Sequence, residues 1–350
     1  PPATPFRVMI VDDSAVIRGL ETRILEADRD IKVISSVGDG SRAVKALELD
    51  DSIEVVILDI EMPIMDGLTA LPKLIALRPD IKVIMSSTLT LQNADISLKA
   101  LSMGAADYIP KPSSMTGVSG SQDFRHDLLS KVRALAAAKR HHSGAPETPP
   151  KAVRIMPKPG GSAPTEVKSV RAESKPRPGV YKDKQIVLRE KGRLTPTVLA
   201  IGSSTGGPQA LFDLFTDLKD SIRLPVFITQ HMPPTFTTIL AERISRLTGG
   251  SCAEGKDGEI VKNGRIYLAP GDHHMKIVTE GGNKVIKLDQ SPPENFCRPA
   301  VDPMLRSLDA EYGGRVLTVI LTGMGADGFA ASKNLVVSGG TVVAQDDDTS

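Results

Sequence analysis

The stretch V-L-A-I-G-S-S-T-G-G, residues 198–207, decides how this chain is read. Val198, Leu199, Ala200 and Ile201 form an apolar run of strand length, and Gly202, Gly206 and Gly207 permit a tight turn that a Cβ would obstruct. Pro208 suits the first position of a helix, and Leu211, Leu214, Phe215 and Leu218 follow at i, i+3, i+4 and i+7. A strand, a sharp turn and a helix are expected in that order, with Ser204 at the elbow. Gly202-Ser203-Ser204-Thr205-Gly206 fits G-x-S-x-G, which lifts a serine hydroxyl out of a turn and aims backbone N–H groups at it. The same glycines also suit an anion loop at a helix N-terminus, which needs no catalytic serine.

Outward from this elbow, the region from about 185 onward repeats the α/β alternation. Strand-like runs lie at 226–229, 265–269, 275–278, 285–288, 316–321 and 341–344, with helical patterns at 236–247, 301–308 and 329–337. A nucleophilic serine needs a base, and His231, His273 and His274 are the histidines of this region. His231 follows the run 226–229, placing it at a strand end like Ser204, whereas His273 and His274 fall in a turn before a strand. The run 316–321 leads into T-G-M-G-A-D-G, residues 322–328, a second Gly-rich strand-to-helix turn. Its Asp327 is either a helix cap or the carboxylate that orients the imidazole. The order Ser, His, Asp differs from the Ser, Asp, His order of α/β-hydrolases.

The chain of 350 residues has length for about two domains, and 40% hydrophobic residues are ample for buried cores. With 43 basic and 42 acidic residues, nothing favours general nucleic-acid binding. No apolar run reaches membrane-spanning length and no signal peptide pattern opens the chain, so a cytoplasmic protein without membrane insertion is expected. Cys252 and Cys297 are far apart, signal neither a disulfide framework nor a zinc site, and read as inert thiols. A start without Met and an end soon after a strand-like run are read as marks of an edited or truncated product.

Residues 4–140 show five β-α repeats, with strand runs at 6–11, 31–37, 55–58, 83–85 and 107–109, so a doubly wound parallel sheet is expected. Asp12 and Asp13 end the first run, Asp59 the third; Ser87 and Thr88 follow the fourth, and Lys111 the fifth. Three carboxylates at one edge repel each other unless a cation is present, and oxygen ligands favour Mg²⁺. Capping accounts for Asp13 or Ser14 but leaves Lys111-Pro112 unexplained. Residues 141–184 are rich in Pro, Lys, Gly and Ser without apolar periodicity and read as a flexible linker, and His141-His142 has no neighbouring metal ligands.

V-D-D-S (11–14), L-D-I-E-M-P-I-M-D-G (58–67) and Lys111-Pro112 resemble the receiver domain of two-component response regulators. The resemblance implies that Asp59 is the phosphoacceptor, that Asp12 and Asp13 form the acidic pair, and that Asp13 and the Glu61 carbonyl are Mg²⁺ ligands. It also implies Ser87 as switch hydroxyl, Tyr108 as rotating aromatic and Lys111 as phosphate-contacting base, with Thr88 leaving a one-residue ambiguity. With I-G-S-S-T-G-G (201–207), I-T-Q-H-M-P-P (228–234), L-A-P-G-D (268–272), R-P-A-V-D (298–302) and L-T-G-M-G-A-D-G (321–328), the whole chain resembles the chemotaxis response regulator protein-glutamate methylesterases, the CheB family.

That resemblance implies a flavodoxin-like receiver and a Rossmann-like three-layer α/β/α esterase domain at 185–350, joined by the linker. It implies Ser204 as nucleophile, His231 as general base and Asp327 as the residue orienting it; among the backbone N–H groups of the Gly-rich turns, that of Met324 is the one chosen here for the oxyanion. The implied reaction is hydrolysis of glutamate methyl esters on methyl-accepting chemotaxis receptors, with glutamine deamidation as a second activity and no metal for the ester step. The implied phosphodonor is the histidine kinase CheA. Ser203 stands where many relatives carry Ala, and the family's C-terminal segment is expected to be missing. A tethered receiver that covers the esterase cleft until Asp59 is phosphorylated is the expected regulation. A non-catalytic response regulator, a transcriptional regulator and a general esterase are the alternatives, the second opposed by the lack of a basic surface or helix-turn-helix pattern.

Overall fold

The computed structural model describes residues 4–88, 90–111, 118–142, 188–189, 192, 194–218 and 221–346. Its first sheet contains β1 (Phe6–Val11), β2 (Ile31–Val37), β3 (Val55–Asp59), β4 (Lys82–Ser87) and β5 (Asp107–Pro110), all parallel, in the order β2-β1-β3-β4-β5. Helices α1 (Ala15–Glu26), α2 (Gly40–Leu49), α3 (Gly67–Leu77), α4 (Leu91–Ser102) and α5 (Val118–His142) alternate with the strands. Side-chain alternation divides the two faces: Val8 and Ile10 of β1 pack with α1 and α5, while Met9 and Val11 pack with α2, α3 and α4. Helices α1 to α4 start on side-chain caps, Ser14 accepting from Ile17 N at 3.4 Å and Asp39 from Arg42 N at 2.9 Å. The expected linker lies outside the described residues from 143 on, and α5 continues through His141 to His142.

A second parallel sheet has six strands: β6 (Val198–Ser203), β7 (Val226–Gln230), β8 (Cys252–Glu254), β9 (Ile266–Leu268), β12 (Val316–Ile320) and β13 (Thr341–Ala344). Their order is β13-β12-β6-β7-β9-β8. Leu199 and Ile201 of β6 face α6 (Gly207–Leu218) and α7 (Pro234–Leu247), while Val198 and Ala200 face α8 (Val301–Tyr312) and α9 (Phe329–Val337). Both domains are thus three-layer α/β/α, as the alternation of runs implies. Two of the strand-like runs stand outside this sheet: β10 (His274–Glu280) and β11 (Asn283–Asp289) pair antiparallel as a hairpin that packs on α8. Strand β8 has only three residues and no apolar alternation, so periodicity could not announce it.

The helical layers of the two domains meet. Leu98 and Leu101 of α4 belong to one continuous apolar cluster with Phe212 and Phe215 of α6 and Leu240 of α7. The rings of Tyr108, on β5, and Phe236, on α7, stack at 4.2 Å with 11° between planes. Arg243 on α7 bonds the Asp95 carboxylate and carbonyl oxygen on α4, each at 2.9 Å. Among the described residues no helix is long and apolar enough to cross a membrane.

Candidate active site and acidic receiver cluster

Neighbouring strands β12, β6 and β7 deliver Asp327, Ser204 and His231 side by side at one sheet edge. The strand order reverses here, β7 lying to one side of β6 and β12 to the other, which opens the crevice typical of such a switch point. Spatial order is therefore Asp, Ser, His although chain order is Ser, His, Asp. The His231 Nδ1 lies 3.1 Å from the Ser204 Oγ, and its Nε2 lies 2.7 Å from the Asp327 Oδ2. The ring is presented in the opposite sense to the serine-protease template, where Nε2 faces the serine. With the ring proton on Nε2 shared with Asp327, Nδ1 is left to accept the serine proton.

Asp327 does not cap its own helix. Gly328 is the residue before α9, and the Asp327 carboxylate instead accepts Val301 N at 2.6 Å and Asp302 N at 3.0 Å, at the N-terminus of α8. Burial alone would raise its pKa, but the His231 ring and these two N–H groups hold it below the ordinary carboxylate value. For His231, burial opposes the charged ring, yet hydrogen bonds to Asp327 and to Cys297 outweigh it and push the pKa up to about 9. Cys297, read as inert from the sequence, thus touches the imidazole; the loop 290–299 has no periodicity that could have placed it there.

The elbow is held from several directions. Gly206 adopts the left-handed φ of 74° that the turn needs. Ser204 N donates to Thr322 O at 3.0 Å, and a Cβ on Gly323 would lie 2.7 Å from the Ser204 Cβ, so the loop bearing Met324 lies directly against the serine. The second hydroxyl, Ser203, donates to Gln230 Oε1 at 2.6 Å, while Gln230 Nε2 donates to Ser204 O at 2.9 Å. Ser203 is thereby engaged away from the imidazole, and buried Gln230 is a supporting residue the sequence reading missed. His274 is the first residue of β10, not part of a turn. It is fully buried, accepting Ala300 N on Nδ1 at 3.2 Å, with Nε2 3.2 Å from Pro292 O. His273 Nδ1 lies 3.2 Å from Gly271 O.

In the first domain the switch point falls between β1 and β3, which bring Asp12, Asp13 and Asp59 together with carboxylate oxygens within 4.8 Å of one another. Lys111 Nζ lies 2.6 Å from Asp12 Oδ2 and 2.7 Å from Asp59 Oδ1. Burial is the largest influence on Asp59 and takes its pKa up to about 6, against the lowering pull of Lys111. Lys111 is itself raised, its burial outweighed by the two aspartates. A donor set of carboxylate oxygens alone, left under-neutralised by one lysine, fits a hard divalent cation of the Mg²⁺ kind. Exposed Glu61 follows β3 and shares a cleft with Asp13, Asp66 and Gln92.

Ser87 and Thr88 differ in their surroundings. Ser87 is buried at the end of β4 with its Oγ 3.1 Å from Ser97 Oγ, whereas exposed Thr88 accepts Asn93 Nδ2 at 2.7 Å. Buried Glu21, on α1, is an acid unnoticed in the sequence; burial and then Asp12 push its pKa up to about 8. Tyr108 points away from this cluster, onto Phe236. Next to it, Asp107 bonds the hydroxyl of Thr205, the residue after Ser204. Strand β5 thus touches the second domain at Phe236 and at Thr205.

Comparison with known proteins adds to this geometry. The family model of the CheB methylesterase matches residues 199–350, and that of the response regulator receiver domain matches residues 8–118. A protein-glutamate methylesterase/protein-glutamine glutaminase of Paramagnetospirillum magneticum is 54% identical, the alignment covering 100% of this chain and 89% of the relative. One from Rhodospirillum rubrum is 53% identical, covering 99% and 87%. The crystal structure of the Thermotoga maritima CheB methylesterase catalytic domain is 40% identical, covers 44% of this chain and 81% of that one, and gives a TM-score of 0.42.

Proposed function

Since the chain belongs to the family of receiver-linked CheB protein-glutamate methylesterases/protein-glutamine glutaminases, we propose that Ser204, His231 and Asp327 hydrolyse glutamate methyl esters on methyl-accepting chemotaxis receptors. The observation that carries this reading is the unbroken chain of contacts from Ser204 Oγ to His231 at 3.1 Å and on to Asp327 at 2.7 Å. Ser204 Oγ attacks the ester carbonyl while His231 Nδ1 takes its proton, and Asp327 stabilises the imidazolium formed. The tetrahedral oxyanion is met by the N–H of Met324, in the loop against Ser204. His231 then protonates the departing methoxide, releasing methanol, and delivers water to the acyl-enzyme to regenerate the glutamate. Receptor glutamines follow the same course with ammonia leaving.

The receiver half sets when this happens. Asp59 is the phosphoacceptor; Asp12, Asp13, Asp59 and the Glu61 carbonyl would hold Mg²⁺, which when bound would supply neutralising charge for a phosphoryl group. Lys111 pairs with the phosphoryl oxygens, and Ser87 supplies the switch hydroxyl. The histidine kinase CheA is the phosphodonor, and the setting is cytoplasmic, with residues 4–140 as receiver, 141–184 as linker and 185–350 as esterase. Support for regulation through contact comes from Tyr108 on Phe236 and Asp107 on Thr205. Phosphorylation shifts a two-state equilibrium away from this docked arrangement.

The test is methanol release from methylated chemoreceptor membranes by the wild type and by Ser204→Ala, each with and without a small-molecule phosphodonor and Mg²⁺. The expected result is a loss of at least about 10³-fold in Ser204→Ala and a rise in the wild type with the phosphodonor. Release that survives the substitution overturns Ser204 as nucleophile, and no release from the wild type overturns the esterase reading.

A further inference from the structure

Of the eight phenylalanines in the chain, six are buried. The two exposed ones are Phe296 at 84%, next in the chain to the Asn295 that bonds Asp327, and Phe329 at 70%. Phe329 lies two residues after Asp327, at the start of α9. Phe296 lies in a two-residue hairpin turn closed by reciprocal backbone bonds between Glu294 and Cys297. Both central residues of this turn are left-handed, Asn295 at φ 52° and Phe296 at φ 65°. Asn tolerates that conformation, whereas a bulky residue there is an outlier that the surroundings must hold in place.

Here the surroundings do hold it. Asn295 Nδ2 donates to Asp327 Oδ1 at 3.1 Å and to Asp302 Oδ2 at 3.2 Å, and the Glu294 carboxylate receives both terminal nitrogens of Arg306, at 2.5 and 2.9 Å. The pins are polar and local, and none of them needs an aromatic ring at 296. Glycine would fill the turn position without strain, so the ring stands there against local preference, exposed, one residue from the Asn295 that bonds Asp327. Strained, exposed aromatics of this kind cluster where a partner is gripped.

We propose that Phe296 and Phe329 form a two-ring platform that binds apolar side chains flanking the esterified glutamate of the substrate protein. The platform is thus a specificity surface for a folded protein rather than for the ester itself. This rests on the esterase reading above and adds to it how a protein substrate is told from a small ester. The platform is also within the receiver's reach: the ring of exposed His126, on α5, lies 4.9 Å from that of Phe296. Substrate and receiver helix therefore use the same ring, and only one of them has it at a time.

The experiment compares kcat/KM for methanol release from methylated receptor membranes with kcat/KM for p-nitrophenyl acetate, together with co-sedimentation on the same membranes. The variants are Phe296→Ala, Phe329→Ala, the double variant and Phe296→Gly. In the double variant the receptor value is expected to fall about 10- to 100-fold more than the small-ester value, mainly through KM, with weaker co-sedimentation. Phe296→Gly is expected to melt no lower than the wild type while raising the receptor KM. Equal losses on both substrates, an unchanged receptor KM, or a lower melting temperature in Phe296→Gly overturns the platform. Aromatic-dependent co-sedimentation without methanol release supports the platform and overturns the ester reading; methanol release with unchanged KM in the double variant does the reverse.

Discussion

His231 is where the chemistry and the electrostatics of the molecule pull in different directions. A general base must be neutral, yet Asp327 and Cys297 favour the charged ring and carry its pKa up to about 9. Below that value most of the free enzyme holds a protonated ring, so kcat/KM for ester hydrolysis is expected to climb between pH 7 and 9 and level off beyond. Asp327→Asn removes the anion that raises the ring, so its profile levels off at lower pH while its maximum falls by about 10⁴-fold. A profile already flat from pH 7 in the wild type would contradict the role of Asp327. The stability linkage has the opposite slope. A base whose folded pKa exceeds its unfolded value near 6.5 stabilises fully below that pH, and this contribution is lost as pH rises through about 9. This one ring thus contributes most to stability where it is blocked as a base. At this scale the sequence was legible wherever a residue followed an apolar run, as Ser204, His231, Asp327 and Asp59 do. Cys297, Asn295 and Gln230 were not, because loop contacts and a buried amide leave no period behind them.

At the scale of elements, the site depends on a loop that approaches the nucleophile without side chains in the way. Gly323 is the point of closest approach, where an added Cβ would stand 2.7 Å from that of Ser204. Gly323→Ala is expected to cost about 1–3 kcal/mol of stability and to lower kcat at least about 10-fold, since a displacement of about 1 Å is enough for that. Thermal melting and steady-state kinetics on a small ester check both, and a variant with wild-type kcat would show that the loop does not position Ser204. The parallel strands were legible as short continuous apolar runs, because both of their faces are buried, and most helices through period 3.6. The hairpin of β10 and β11 was legible as strands but not as a separate sheet, because alternation records a pleat and not the partner it pairs with. Strand β8 is too short to carry a pattern of its own.

For the molecule as a whole, the receiver is docked through α4 and β5 onto the layer of α6 and α7, with His126 of α5 against the Phe296 turn. No local pattern in the chain announced this contact, since the apolar residues that form it look like ordinary core residues of each domain. Arg243 and Asp95 hold one margin of it in a partly exposed ion pair, worth up to about 1 kcal/mol and less at high salt. Arg243→Ala is therefore expected to raise unphosphorylated esterase turnover about 2- to 5-fold without changing the phosphorylated rate. Rates measured at low and high salt check this, and a variant no faster than the wild type at low salt would remove this margin from the regulation.

The stacking of Tyr108 on Phe236 has one more consequence. Phe236 lies five residues after His231, in the first turn of α7, so a ring of the receiver leans on the helix that begins just beyond the catalytic base. Turning Tyr108 inward uncovers Phe236, and the close-packed interior does not tolerate the vacancy left behind. A stacked pair is worth about 0.5–1.5 kcal/mol beyond its buried area, a bias of about 2- to 13-fold in population. Under the proposed regulation this pair is one increment on top of the apolar cluster and the Arg243–Asp95 pair, so it trims the docked population without setting it alone.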